Sequence, residues 1–155
     1  MVLVLLAMAL LIGLVIPLQS AINSSLRDTL RSGSLLAALV SFGVGTATLL
    51  LASALTGQPF ASLSGLPRVA WWEWLGGALG AFFVFGSTLL APRIGLAAMI
   101  SLIVAGQVCS SLAFDRFGLM GLPARGLSWV RLLGAALILA GAVLVNFGDR
   151  WLARR

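Results

Sequence analysis

The stretch VLVLLAMALLIGLVIPLQSAINSSLRD, residues 2–28, decides the fold. No charge interrupts it before Arg27, and about 20 apolar residues suffice for a helix to cross a bilayer. It reads as a first transmembrane helix over about residues 2–26. Pro17 lies inside it, and the proline ring removes the hydrogen bond to the carbonyl of Gly13. A kink is therefore expected there rather than an end, and Gly13 with Pro17 forms the candidate hinge. Met1 leads straight into the apolar run without a basic segment, so a retained helix is expected rather than a cleaved signal.

Four more apolar runs follow, over about residues 34–55, 71–90, 96–114 and 131–148. Arg27, Asp28, Arg31 and Gly33 mark a short loop after the first. Residues 56–69, with two prolines and Arg68, read as a connecting loop. Trp71, Trp72 and Trp74 open the third run as an interfacial cluster, with Glu73 solvated among them. Residues 91–95, Ala-Pro-Arg-Ile-Gly, predict a tight turn. Residues 115–130 predict a loop through Gly118, Gly121, Pro123 and Gly126. Asp149, Arg150, Trp151, Arg154 and Arg155 close the chain as a basic interfacial tail. The runs are continuous rather than alternating, which is not the pattern of a membrane β-barrel. The expected fold is an all-α membrane protein, a bundle of about five transmembrane helices in one integral membrane domain over residues 1–155.

Composition agrees. The chain is 61% hydrophobic and 9% charged, against about 25% charged in a soluble domain. All ten cations are arginine, against four acids and no histidine. A net charge of +6 on a soluble protein would point to nucleic acid. Here the arginines stand at the ends of apolar runs, where they meet lipid headgroups. Membrane lipid is the expected partner, and nucleic acid is not. Cys109 lies inside an apolar run and reads as a small packing residue. No metal-ligand cluster, phosphate loop or nucleophile–base pair occurs in the sequence, so no catalytic residue, metal or cofactor is expected, and no enzyme.

Small residues recur at four-residue spacing: Ser41 with Gly45, Gly76 with Gly80, and Ser101 with Ala105 and Cys109. Such faces let helix backbones approach closely in lipid, and Gly76, Gly80, Ser101 and Ala105 are the candidate packing residues. Five spans put the termini on opposite sides. Loops on the N-terminal side carry Arg68, Arg116, Arg125 and Arg131, and the other side carries Arg27, Arg31, Arg93, Arg150, Arg154 and Arg155. The excess of two favours a cytoplasmic C-terminus but permits insertion both ways. Transporters commonly pair two halves of opposite topology around a midplane site, and five spans make one half.

Several short motifs, in this order and spacing, carry a resemblance. They are Gln19-Ser20-Ala21-Ile22-Asn23 with Leu26, Trp72 with Gly76-Gly77 and Gly80, Pro92 with Gly95, Gly106-Gln107, and Asp115-Arg116-Phe117-Gly118. Through them nearly the whole chain resembles the YdcZ-like family of the drug/metabolite transporter superfamily, whose pattern has His where this chain has Arg116. The resemblance implies a five-helix unit of the inner membrane, equivalent to half of an antiparallel ten-helix transporter and working as a pair. The related small multidrug resistance proteins carry a glutamate in the first helix; here no acid precedes Asp28, so proton coupling of that design is not expected.

Polar groups inside a bilayer are costly and are functional candidates by default. Gln19 and Asn23, four residues apart, share one helix face. Gln107 lies near the middle of the fourth run, and Ser111 and Asp115 follow at four-residue steps. Gln19, Asn23, Gln107 and Ser111 are the candidate substrate-binding residues for an unidentified small solute. Asp115 is either a coupling group or a loop anchor. The alternative for the amides is interhelical hydrogen bonding, and Asn146 reads as structural in that way. The expected function is a secondary transporter subunit acting as an antiparallel dimer or with a homologous partner. The alternatives are a passive channel and an accessory membrane protein without transport.

Overall fold

The computed structural model describes residues 2–152. Met1 and residues 153–155 lie outside the described residues, and with them Arg154 and Arg155, on which the orientation bias rests. The protein is 87% helical, with no strand among the described residues. Five helices are long and apolar enough to cross a membrane. They are α1 (Val2–Thr29), α2 (Ser34–Leu55), α3 (Leu75–Ile94), α4 (Leu96–Phe117) and α5 (Trp129–Leu152). The all-α expectation holds, and each helix falls on one of the five apolar runs.

The differences lie at the helix ends. Arg27 and Asp28 belong to the last turns of α1 rather than to a loop, which leaves residues 30–33 as the connection, with Arg31 at φ 48. Long arginine stems lie along apolar surface while the head reaches water, so a charge need not end a helix. Residues 56–69 are not irregular: Phe60–Arg68 forms a 3-10 segment. Trp71–Trp74 is a further 3-10 turn, and α3 starts only at Leu75. Glu73 is exposed, as expected of a solvated residue, and its Oε2 also accepts the Ala70 N–H at 2.7 Å.

The predicted turn at residues 91–95 shrinks to one residue. α3 runs through Pro92 to Ile94, and the break falls at Gly95, with φ 84 and ψ 152. Proline is tolerated in membrane helices because neighbouring groups satisfy the freed carbonyl. Backbone at φ 84 favours glycine. α1 likewise continues through Pro17. α4 extends to Phe117 and ends on Gly118, left-handed at φ 59, whose N–H donates to the Phe114 carbonyl. A Cβ at Gly118 would stand 3.1 Å from the Leu122 oxygen and 3.2 Å from the Ala124 Cβ, so the following loop folds tightly onto it.

The chain divides into two compact units, Met1–Arg93 and Ile94–Arg155. In the first, α1 and α2 pack as a hairpin, and Gly80 of α3 faces the Phe42 ring of α2, whose Cζ is 3.4 Å from where a Cβ would be. In the second, α4 and α5 pack as a hairpin. The buried apolar residues are nearly all small: Ala37, Ala38, Ala91, Ala105, Ala135 and Ala142, with Val84 and Met99. Large side chains point outward, as at Leu3, Leu55 and Leu79. This inversion of a soluble core suits a lipid solvent, where outward leucine costs nothing and small inward residues let backbones approach. The buried Ser20 and Thr88 hydroxyls are recaptured by their own helices: Ser20 donates to Ile16 O at 3.1 Å and Thr88 to Val84 O at 2.7 Å, the local bonding open to Ser and Thr.

Candidate functional site

In the first unit, α1 brings Gln19 and Asn23 to neighbouring but unequal positions. Asn23 is 3% exposed, whereas Gln19 is exposed. Four residues advance an α-helix by one turn and about 40°, enough to carry one amide inside while the other stays at the edge. The shared face predicted from spacing is thus split between two environments. Gln19 lines a groove of ≈ 260 Å³ with Ser41, Phe42, Gly45, Thr46 and Val84. The Thr46 hydroxyl donates to Phe42 O at 2.9 Å, which leaves Gln19 and Ser41 as the groove's polar side chains without a bond among the described residues. Beside it, Phe42 and Phe85 line a second, apolar groove of ≈ 440 Å³ with Leu35, Leu39 and Ala81. Phe82 points outward.

The enclosed amide of Asn23 is unsatisfied. Its Nδ2 is buried with no hydrogen-bond partner among the described residues, and so is the Ser24 hydroxyl. A buried donor left without a partner costs about 1–3 kcal/mol. Two adjacent ones are unusual in an interior where Ser20, Ser87 and Thr88 all bond their own helices. Ser24 is absent from the residues singled out by sequence, although its place four residues after Ser20 on the polar face of α1 was a readable signal.

In the second unit, Gln107 stands at the midpoint of α4 and is exposed. Ser111, one turn on, is exposed too, and Asp115 is half-buried. Asp115 is held on both sides: its carbonyl accepts the Arg125 N–H at 2.6 Å, and its carboxylate pairs with Arg131 at 3.4 Å. These bonds tie the end of α4 to the loop and to the start of α5. Asn146 bridges the same helices, its Nδ2 donating to Ser101 Oγ at 3.0 Å and to Ala142 O at 2.8 Å. Ser101 therefore takes part in a polar tie, and Ala105 is buried beyond it. Nothing in local sequence pairs Asn146 with Ser101, 45 residues away. Of the remaining candidates, Gly13 and Gly76 face open space, where a Cβ would meet nothing within 4 Å, and Pro17 is half-buried.

The geometry offers hydrogen-bonding amides and hydroxyls within apolar spans, with charged groups confined to helix ends and loops. The Inner membrane protein YdcZ of Escherichia coli (strain K12) is 40% identical over 77 residues, which are 50% of this chain and 51% of that protein. The alignment thus spans about half of the length of each. No solved structure matches the chain. A family model described as "Putative inner membrane exporter, YdcZ" matches residues 4–144, covering all of α2, α3 and α4 and most of α1 and α5. The resemblance read from the Gln19–Asn23, Trp72–Gly80 and Asp115–Gly118 motifs is borne out, and the chain, with five membrane-length helices, belongs to this inner-membrane YdcZ family.

Proposed function

We propose that the protein is a subunit of a secondary transporter that moves a small solute across the inner membrane, paired antiparallel with a second copy or with a homologous chain. One observation carries this reading: Gln107, an amide at the midpoint of a membrane-length helix, lies exposed on the single chain. An amide turned to hydrocarbon leaves its donors and acceptors unmet, and intramembrane polar groups face a bundle interior or an aqueous cavity. A second subunit over that face supplies such an interior. Related by an axis in the membrane plane, two chains bring two copies of Gln107 near one midplane site, where transporter sites lie. The family description as an exporter supports the same class. An enzyme reading has no comparable support.

Purified protein in liposomes tests this. Solutes that raise its melting temperature are candidate ligands, because a molecule binding only the folded state stabilises it. Saturable flux of such a solute against its own gradient, driven by an ion gradient or by exchange, is the expected result. Flux that only dissipates gradients would establish a channel. Stable assembly with other membrane proteins, without flux of any ligand, would establish an accessory role.

A further inference from the structure

We infer that Asn23, Ser24 and Arg27 of α1 form a donor site for the oxyanion group of a small ligand, a carboxylate or a phosphate. As a substrate site it deepens the transporter reading and rests on it.

The polar residues of α1 cluster on one side near its end. Ser20, Asn23, Ser24 and Arg27 follow at offsets of three, four and seven residues, which place them on a single helix face. Ser20 is satisfied by Ile16. The next two groups, the Asn23 Nδ2 and the Ser24 hydroxyl, are enclosed without partners among the described residues. Asn23 is 97% buried by residue, at 3% exposure, so its free donor is turned into protein and not toward lipid. An amide nitrogen only donates, and a serine hydroxyl that has found no carbonyl in its own helix has its proton free. The chemistry that satisfies both is an acceptor with several lone pairs on close oxygens.

Charge then selects among acceptors. Arg27 stands one turn beyond Asn23, about 6 Å along the axis, with its side chain 22% exposed. Its Nε and Nη2 bond Asp28, whose side chain is 67% exposed, and a guanidinium keeps further N–H donors beyond those two. Within the first unit, the ends of α1 and α3 and the start of α2 lie on one side of the membrane by chain order. Arg27, Arg31 and Arg93 gather there against Asp28 alone. A net positive charge on this side concentrates counter-ions, and paired N–H groups on an oxyanion make shorter, stronger bonds than neutral pairs. The one acid beside this face, Asp28, four residues after Ser24, is already paired with Arg27. Donors without partners, an excess of arginine and an acid already committed to Arg27 together favour an oxyanion over a neutral amide or an ammonium group.

Three probes of one four-carbon skeleton test the inference on the full-length protein in phosphate-free detergent: succinate, succinamide and 1,4-diaminobutane. Inorganic phosphate and phosphatidylglycerol are run beside them. Thermal protection by succinate or phosphate is expected, with little from the diamide or diamine. N23D, which puts a negative acceptor in place of the donor, should weaken that protection by at least about tenfold in apparent Kd. Ser24→Ala and Arg27→Gln should each weaken it less, and monodisperse elution confirms that the variants fold. Protection by phosphatidylglycerol alone, still lost in N23D, upholds the donor site and makes the oxyanion a lipid phosphate. Equal or better protection by the diamide or diamine overturns the inference. So does no protection by any oxyanion, the outcome expected if internal water alone fills the donors. Counterflow of the same probes in liposomes separates the two readings. Carriage of diamine but not succinate leaves the transporter reading standing and removes this one. Succinate binding that depends on Asn23, without carriage of any probe, does the reverse.

Discussion

Replacing Gln107 with alanine distinguishes a binding amide from a structural one. The change removes a carboxamide from the middle of α4 and leaves the helix intact, since alanine is the best helix former. No side-chain hydrogen bond of Gln107 is present among the described residues, and its backbone carbonyl, which accepts the Ser110 hydroxyl besides its helical bond, keeps both after the substitution. The fold of the single chain therefore loses nothing, and the effect must appear in the pair or in the ligand complex. If the amide bonds the solute, the ligand keeps an unmet polar group in a dry site. The cost is about 1–3 kcal/mol, or about 5- to 150-fold in Kd. If the amide bonds across the subunit interface, the cost falls on the dimer, at about 0.6–2 kcal/mol for each bond lost. Kd from ligand-induced thermal shift and the dimer fraction from crosslinking, taken on one preparation, separate the two. The expected result is a weakened Kd with an unchanged dimer. Both quantities unchanged would refute the reasoning, because Gln107 would then contact neither solute nor partner.

The antiparallel pair predicts labelling from both sides of the membrane when Cys109 is replaced by Ser and a single Cys is placed in the tail; labelling from one side only would require a homologous partner instead. Three lysines added to that tail should drive the population to one orientation, read by the same labelling. Pro17→Ala restores a backbone donor to α1 and should leave the protein folded while slowing turnover in a flux assay; an unchanged rate would make the proline a packing feature. Asn146→Leu cuts the tie to Ser101 and should destabilise the fold by about 0.6–2 kcal/mol, measured as a lower melting temperature, with ligand affinity unaltered in the protein that remains folded. A melting temperature equal to the parent's would show that the tie contributes nothing.

The helices were legible because a bilayer imposes length and apolarity on every span, and hydropathy reports both. Their ends were less so. Pro92 looked like the break between α3 and α4, but membrane helices absorb proline, and the true break is Gly95 with its positive φ. Arg27 and Asp28 looked like a loop, but they complete α1. Among site residues, spacing grouped Gln19 with Asn23 because four residues nearly close a turn. It did not register the residual rotation that buries one and exposes the other. Ser24 escaped notice because a helical serine ordinarily bonds its own backbone, and only coordinates reveal that this one does not. The Asn146–Ser101 bond joins different helices and leaves no local trace in sequence.

The alanine interior has a mechanical consequence. Leucine or phenylalanine interlocked across a helix interface must change rotamer before either helix slides. Ala37, Ala38, Ala135 and Ala142 have no rotamers to change, and alanine loses no side-chain entropy when buried. Faces paved with methyl groups present a shallow, nearly uniform relief, so adjacent registers differ little in energy and the barrier between them is low. Friction between helices then resides in the few polar ties, Asn146 to Ser101 above all, which act as detents on an otherwise smooth bearing.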